Sequence, residues 1–287
     1  MMNRLLLWFG LLVMSSGCAA AGPAADGVSQ NLERSVCGLQ EPFLFWLWSR
    51  LAGSPDAGRI AGLHHVEDIR FETADGRILR GYKLSATSHD GQPVAARGYL
   101  LVMQGNAILA DQILGEFSAF AAGGLDVYVY DFRGYGRSGG KRRLRAIISD
   151  YVEIRDTLDA ADYAEGYIYA MSFGGIALLN GLAGQNGPDR LVIDSTPARL
   201  SDHGCPPEFD PVSHLPADCR HCLFIVGERD NVVTPSMSRE LVEAAARHGA
   251  TVLRDDVFAH PFMDAGPSVH RRRLRLVEDY LLHNRRP

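Results

Sequence analysis

Ser172 lies in the run Tyr167-Ile168-Tyr169-Ala170-Met171-Ser172-Phe173-Gly174-Gly175, where a β-branched and aromatic segment meets a helical pattern that continues through Ile176 to Leu179. This order of residues predicts a strand, a sharp turn and a helix, with the serine at the apex. A serine hydroxyl is a weak nucleophile at neutral pH, so it needs a base within reach and a seat open to substrate. A strained turn supplies the seat. It also aims the backbone N–H of Phe173 at the oxygen of an attacked carbonyl, next to a helix N-terminus whose dipole favours negative charge. Ala170 and Gly174, two residues to either side, leave the room that a tight turn demands. The pattern is thus A-x-S-x-G in place of the more usual G-x-S-x-G. An N-cap serine in an ordinary helix fits the same local pattern, so the rest of the chain has to decide.

Candidate partners stand later in the sequence. After the apolar run Phe224-Ile225-Val226 comes Gly227-Glu228-Arg229-Asp230-Asn231, and after the last predicted strand comes Phe258-Ala259-His260-Pro261-Phe262. His260 is the candidate base and Asp230 the acid that would orient it and stabilise its cationic form. Asp194 also ends a predicted strand and is the rival acid. Gln104-Gly105-Asn106-Ala107 follows a third strand. There the glycine permits close backbone approach, and the next N–H groups could point into a site. The segment from Asp131 to Gly140 is glycine-rich with two arginines, but it lacks the Lys-Ser/Thr ending of a phosphate-binding loop and the dinucleotide glycine spacing.

These residues need a scaffold that brings strand ends together. Val66 to Glu72 and Ile78 to Leu84 flank an Asp-Gly turn and predict an antiparallel pair. From Ala96 onward, strands alternate with helices. The strands are Ala96 to Met103, Leu125 to Tyr130, the stretch before Ser172, Leu191 to Asp194, Leu223 to Val226 and Thr251 to Arg254; the helices are Gln112 to Ala121, Ile147 to Ala161, the one after Ser172, Pro235 to Arg247 and Pro267 to Leu282. Such alternation implies an α/β fold, a mostly parallel central sheet of about eight strands with helices on both faces. Functional loops then lie beyond the carboxyl ends of the strands. The stretch between Thr196 and Arg220 is short and rich in Pro and Cys, which predicts a small or absent cap.

The 287 residues are 46% hydrophobic with a net charge of −5, a composition that suits a single large core. No basic stripe interleaved with aromatics appears, so nucleic acid is not an expected partner. Residues 1–17 read as a signal peptide: Arg4 supplies a positive charge, Leu5 to Met14 is apolar but too short to span a bilayer, and Ser15-Ser16-Gly17 lead to Cys18. Residues 18–30 read as a tether and 31–64 as an N-terminal helical extension before a catalytic domain over 65–287. The aromatic stretch Pro42 to Trp48 is expected to be at least partly buried against that domain, and a membrane-facing patch is the alternative. Cys37, Cys205, Cys219 and Cys222 are an even set in an exported chain and suggest structural disulfides, with three pairings open. Cys219-Arg220-His221-Cys222 lacks a second ligand pair for zinc and precedes a strand, unlike a redox motif at a helix start, so no metal is expected.

From His65 onward the chain resembles the α/β-hydrolases. Within them it resembles the membrane-associated serine hydrolases that carry an H-G-N-A loop and a D-x-R-G-Y-G-x-S-x-G segment. The second motif is met by Asp131, Arg133, Gly134, Tyr135, Gly136, Ser138 and Gly140; the first is met at Gly105, Asn106 and Ala107, with Gln104 where the family has His. The resemblance implies Ser172 as nucleophile, His260 as base and Asp230 as acid, with backbone N–H groups of Asn106 and Phe173 as an oxyanion hole. It implies an acyl-enzyme on carboxylic esters or thioesters without a cofactor. A peptidase or amidase on the same residues and a non-catalytic envelope protein are the other readings. The N-terminus resembles a bacterial lipoprotein signal, with Cys18 lipidated, a periplasmic location and, from Ala19, the outer membrane. A secretory signal cleaved near Ala20 or Ala21 is the alternative. The expected partners are a small-molecule or acylated substrate and the membrane.

Overall fold

The computed structural model describes residues 31–287. The predicted signal peptide, Cys18 and the tether lie outside the described residues. Helix α1 (Gln40–Leu51) precedes the antiparallel pair β1 (Val66–Glu72) and β2 (Ile78–Leu84). Six further strands follow: β3 (Gly98–Met103), β4 (Leu125–Tyr130), β5 (Glu165–Met171), β6 (Arg190–Asp194), β7 (Cys222–Gly227) and β8 (Thr251–Asp255). They form one eight-stranded sheet in the order β1-β2-β4-β3-β5-β6-β7-β8, in which β1 and β2 are antiparallel to their neighbours and all other pairs are parallel. The fold is the expected α/β-hydrolase arrangement.

Alternation along each strand builds two cores. Leu101 and Met103 of β3 and Ile168 and Ala170 of β5 face one side, where they meet α4 (Leu144–Asp159), α5 (Phe173–Leu182) and α6 (Pro235–Arg247). Leu100, Val102, Tyr167 and Tyr169 face the other, against the short helices α2 (Ala110–Ile113) and α3 (Ser118–Ala122) and the closing helix α7 (Pro267–His283). Period-two burial on both faces follows from helices covering both sides of a parallel sheet. The helix expected over Gln112 to Ala121 is divided into α2, a 3₁₀ turn over Leu114–Phe117 and α3.

Between β6 and β7 the chain makes three 3₁₀ turns, Ser201–His203, Pro207–Phe209 and Pro211–His214, and no α-helix. The covering role falls instead to α1. Gln40 Nε2 donates to His203 O at 2.6 Å, the Leu144 N–H to Glu41 Oε1 at 2.9 Å, and Gln112 Nε2 to Ala52 O at 2.8 Å. Helix α1 therefore lies across loops that follow β3, β4 and β6. A disulfide from Cys37 to Cys205 ties its N-terminal end to the loop after β6, whereas Cys219 and Cys222 are reduced and buried. The expected second bridge is not formed: Cys219 and Cys222 remain buried thiols within hydrogen-bond contact of each other.

Candidate active site

Ser172 occupies the turn between β5 and α5 with φ 53° and ψ −114°. A non-glycine residue rarely adopts this backbone, and the surroundings hold it there. The Ser172 N–H donates to Asp194 O at 2.8 Å, and its carbonyl accepts from Gly175 N–H at 3.1 Å and Thr196 Oγ1 at 3.3 Å. The flanking small residues have direct steric causes. A Cβ on Gly174 would stand 2.0 Å from Met103 O, and one on Gly175 would stand 1.9 Å from Thr196 Oγ1. Ala170 is fully buried and fits its place without a glycine.

Asp230, after β7, is buried and receives the Val232 and Val233 N–H groups on Oδ1, both at 2.8 Å. Its Oδ2 lies 2.8 Å from His260 Nδ1. Burial alone would raise the pKa of this carboxyl. The hydrogen bond and charge of His260, with the two N–H groups, more than offset that and hold it below the ordinary carboxylate value. An ionised acid in this position fixes the ring so that Nε2 is the free nitrogen. Ser172 and His260 line one pocket of about 240 Å³ together with Gly105, Asn106, Ala107 and Ile108 from the loop after β3 and Pro261, Phe262 and Met263 from the loop after β8. Ser172 Oγ makes no hydrogen bond to His260 within 3.5 Å, and such contacts commonly tighten only around substrate.

The loop after β3 turns beside Ser172. A Cβ on Gly105 would lie 3.4 Å from Ser172 Cβ, and Ala107 takes a φ of 60°. Gln104 points away from the pocket, fully buried, with Nε2 donating to Tyr130 O at 2.6 Å. Asn106 Oδ1 accepts from Tyr135 OH at 3.0 Å. Among the described residues, the N–H groups of Asn106 and Phe173 have no acceptor from the chain. Phe173 opens α5, where first-turn N–H groups have no intrahelical partner.

Two features carry structure rather than chemistry. Asp194 accepts from Arg273 Nη1 at 2.7 and 2.9 Å and from Tyr169 OH at 2.9 Å, so it is committed to a buried ion pair and does not reach His260. Arg273 also pairs with Asp264 at 3.0 and 2.9 Å, and Asp264 Oδ1 accepts the Ala259 N–H at 2.9 Å. This network clamps the backbone next to His260. The second feature is the glycine-rich segment. Arg133 is fully buried between Asp75 and Asp150, with Nη1 at 2.6 Å from Asp75 and Nε at 3.0 Å from Asp150. Asp131 accepts the Ala110 N–H at 2.8 Å, and a Cβ on Gly136 would stand 2.1 Å from Asp131 Oδ2. Of the two arginines that raised phosphate binding, Arg133 is spent on internal carboxylates and Arg137 pairs with Asp68, and Tyr135 ties the segment to Asn106. Neither the Tyr135 bond nor the Arg273 clamp was visible in the sequence, where only the run of motif residues around Tyr135 gave a signal. Among the described residues no group of His, Cys, Asp and Glu is arranged to hold a metal ion.

A twisted parallel sheet with a strained serine after its central strand, and an Asp–His pair on later strand ends, defines the α/β-hydrolase fold class. The chain belongs to the same family as the uncharacterized protein Rv2307c of Mycobacterium tuberculosis, to which it is 30% identical over 227 residues, 71% of this chain and 78% of the relative. No protein-family model matches the chain. Among solved structures, the Pyrococcus furiosus esterase Pf2001 superposes with a TM-score of 0.57 at 17% identity, over 76% of this chain and 93% of that one. XC6422 from Xanthomonas campestris, an α/β serine hydrolase without a lid, gives 0.54 at 19% identity, over 77% and 95%. At these identities the likeness concerns the fold.

Proposed function

We propose that the protein is a serine hydrolase of carboxylic esters or thioesters. The observation that carries this reading is the 2.8 Å bond between Asp230 and His260 on the same pocket as a serine held at φ 53°. In the proposed reaction His260 Nε2 takes the Ser172 proton as Oγ attacks the acyl carbon, and Asp230 stabilises the imidazolium. The oxyanion is held by the N–H groups of Asn106 and Phe173. The leaving alcohol or thiol departs with the proton from His260, which leaves an acyl-serine. Water, giving its proton to His260, attacks that ester and releases the acid and the free serine.

Labelling with a fluorophosphonate probe tests the reading. The parent protein should label, and Ser172→Ala and His260→Ala should not. Failure of the folded parent to label would remove the enzyme reading and favour a hydrolase-fold binding protein. A panel of esters, thioesters and aminoacyl amides then separates esterase from amidase.

We further propose export and lipid anchoring at Cys18. The Cys37–Cys205 bridge supports an oxidising compartment. Metabolic labelling with a clickable fatty acid should mark the parent and not Cys18→Ser.

A further inference from the structure

Helix α1 is apolar on two opposite faces, and one of them has no partner among the described residues. Its inner face carries Phe45, 4% exposed, whose ring meets the Phe173 ring edge-on at 5.2 Å. Its outer face carries Phe43 and Trp46 and is extended by the N-cap residue Leu39; Leu39, Phe43 and Trp46 are 95%, 58% and 47% exposed. Their spacing of four and three residues places them within an arc of about 60°, and Arg50 continues the same stripe. The Phe43 and Trp46 rings lie side by side, 6.0 Å between centroids. Leaving such side chains in water forgoes hydrophobic stabilisation, and a contiguous stripe of them marks an interaction surface.

Charge and chain geometry select the occupant. The sequence Lys141-Arg142-Arg143-Leu144-Arg145 lies where the described chain begins: the Lys141 N–H donates to Glu33 Oε1 at 2.9 Å, and Arg145 Nη1 is 3.4 Å from Asn31 Oδ1. Lys141, Arg34 and Arg50 are exposed. An aromatic and leucine stripe that ends in the exposed cation Arg50, on a chain end that also exposes Arg34 and packs against the basic run 141–145, is a composition that settles in the headgroup region of an anionic bilayer. A second copy of the chain would bring the same cations face to face, which opposes that pairing. With Cys18 as anchor, the intervening residues 19–30 can span at most about 40 Å, which keeps the helix within reach of the lipid.

We propose that the outer face of α1 docks on an anionic phospholipid bilayer. Because α1 lies across loops at the carboxyl edge of the sheet, docking turns the edge that holds Ser172 toward the lipid. The consequence, which rests on the hydrolase reading above, is a preference for acyl esters of amphiphiles presented at the membrane surface.

The test uses the full chain with Trp8→Phe and Trp48→Phe, so that Trp46 is the single tryptophan. It is mixed with phosphatidylcholine vesicles, with and without phosphatidylglycerol, whose acyl chains are brominated. The expected result is a blue shift and loss of most of the Trp46 emission. Adding Leu39→Glu and Phe43→Glu should abolish the quenching, and omitting phosphatidylglycerol should weaken binding by at least about tenfold. Unquenched Trp46 on vesicle-bound protein would overturn the proposal even if the N-terminal anchor holds. A blue shift that depends on protein concentration without vesicles would overturn it in favour of a contact between copies. Should the tryptophan exchanges unsettle the fold, the unaltered chain with a photoactivatable phosphatidylglycerol serves instead: crosslinks within residues 39–50 support docking, and crosslinks confined to residues 1–30 refute it. Fluorophosphonate labelling of the same samples reports on Ser172 separately, so loss of the hydrolase reading and loss of docking are distinguishable.

Discussion

Asp194 and Asp230 follow or end neighbouring parallel strands, are both almost fully buried, and stand at the same edge of the sheet as Ser172. Their surroundings give them different work. Asp194 faces Arg273 and Tyr169, a permanent cation and a phenol that use up its acceptor capacity. Asp230 receives two backbone N–H groups on one oxygen and leaves the other to His260. A strand-end carboxylate is therefore a position open to several roles, and the group across from it decides which one it has.

Asp230→Asn offers the sharpest break between the two. If Asp230 orients His260, the exchange should lower kcat by roughly 10³–10⁴-fold with little change in Tm. Asp194→Asn should do the reverse, lowering Tm with kcat of the folded protein kept within about tenfold. Equal kinetic losses in the two variants would dissolve the distinction. Arg273→Leu extends the second half of the comparison. It leaves Asp194 and Asp264 buried without their cation and should destabilise the fold by about 3–5 kcal/mol, read by urea unfolding.

Acid should reach Asp264, the other carboxylate on Arg273, and Asp230 through the same sign of linkage. The Asp264 side chain is covered; burial raises its pKa, but nearby His270, Arg273 and the Ala259 N–H bring it down to about 2. Its contribution to stability is present above its unfolded value near 4 and is lost as pH falls through about 2, on the order of 2 kcal/mol. Asp230 is shifted in the same direction. Asp150 has the opposite sign: burial, against the pull of Arg133, pushes it up to about 6, so protonation near that pH favours the folded state. Thermal melts should therefore show acid destabilisation only below about pH 4, and Asp264→Asn should flatten that limb. The smallest effect concerns the other side of Ser172. Tyr135→Phe removes one hydrogen bond to Asn106, worth about 0.5–1.5 kcal/mol, and should lower kcat three- to tenfold with KM unchanged.

Much of the architecture was legible because it rests on local pattern. The Asp-Gly hairpin, the apolar strands and the helix over Pro235 to Arg247 are set by turn chemistry and periodicity within a few residues. The Ser172 elbow was legible for the same reason: strand, small residues and helix are contiguous. The helix divided around Gly115 shows where local pattern is weak, since it could not foresee a 3₁₀ turn.

By itself, then, the sequence determined the order of strands and helices, the serine between them and the candidates at later strand ends, all of which depend on neighbours in the chain. Tertiary structure alone decided which carboxylate faces His260, that Arg133 holds Asp75 and Asp150, and that Cys37 meets Cys205 across 168 residues. It also decided that an N-terminal helix, not the loop after β6, lies over the turn that carries Ser172. These outcomes turn on which side chains meet after distant segments pack, and no local periodicity encodes a partner many residues away.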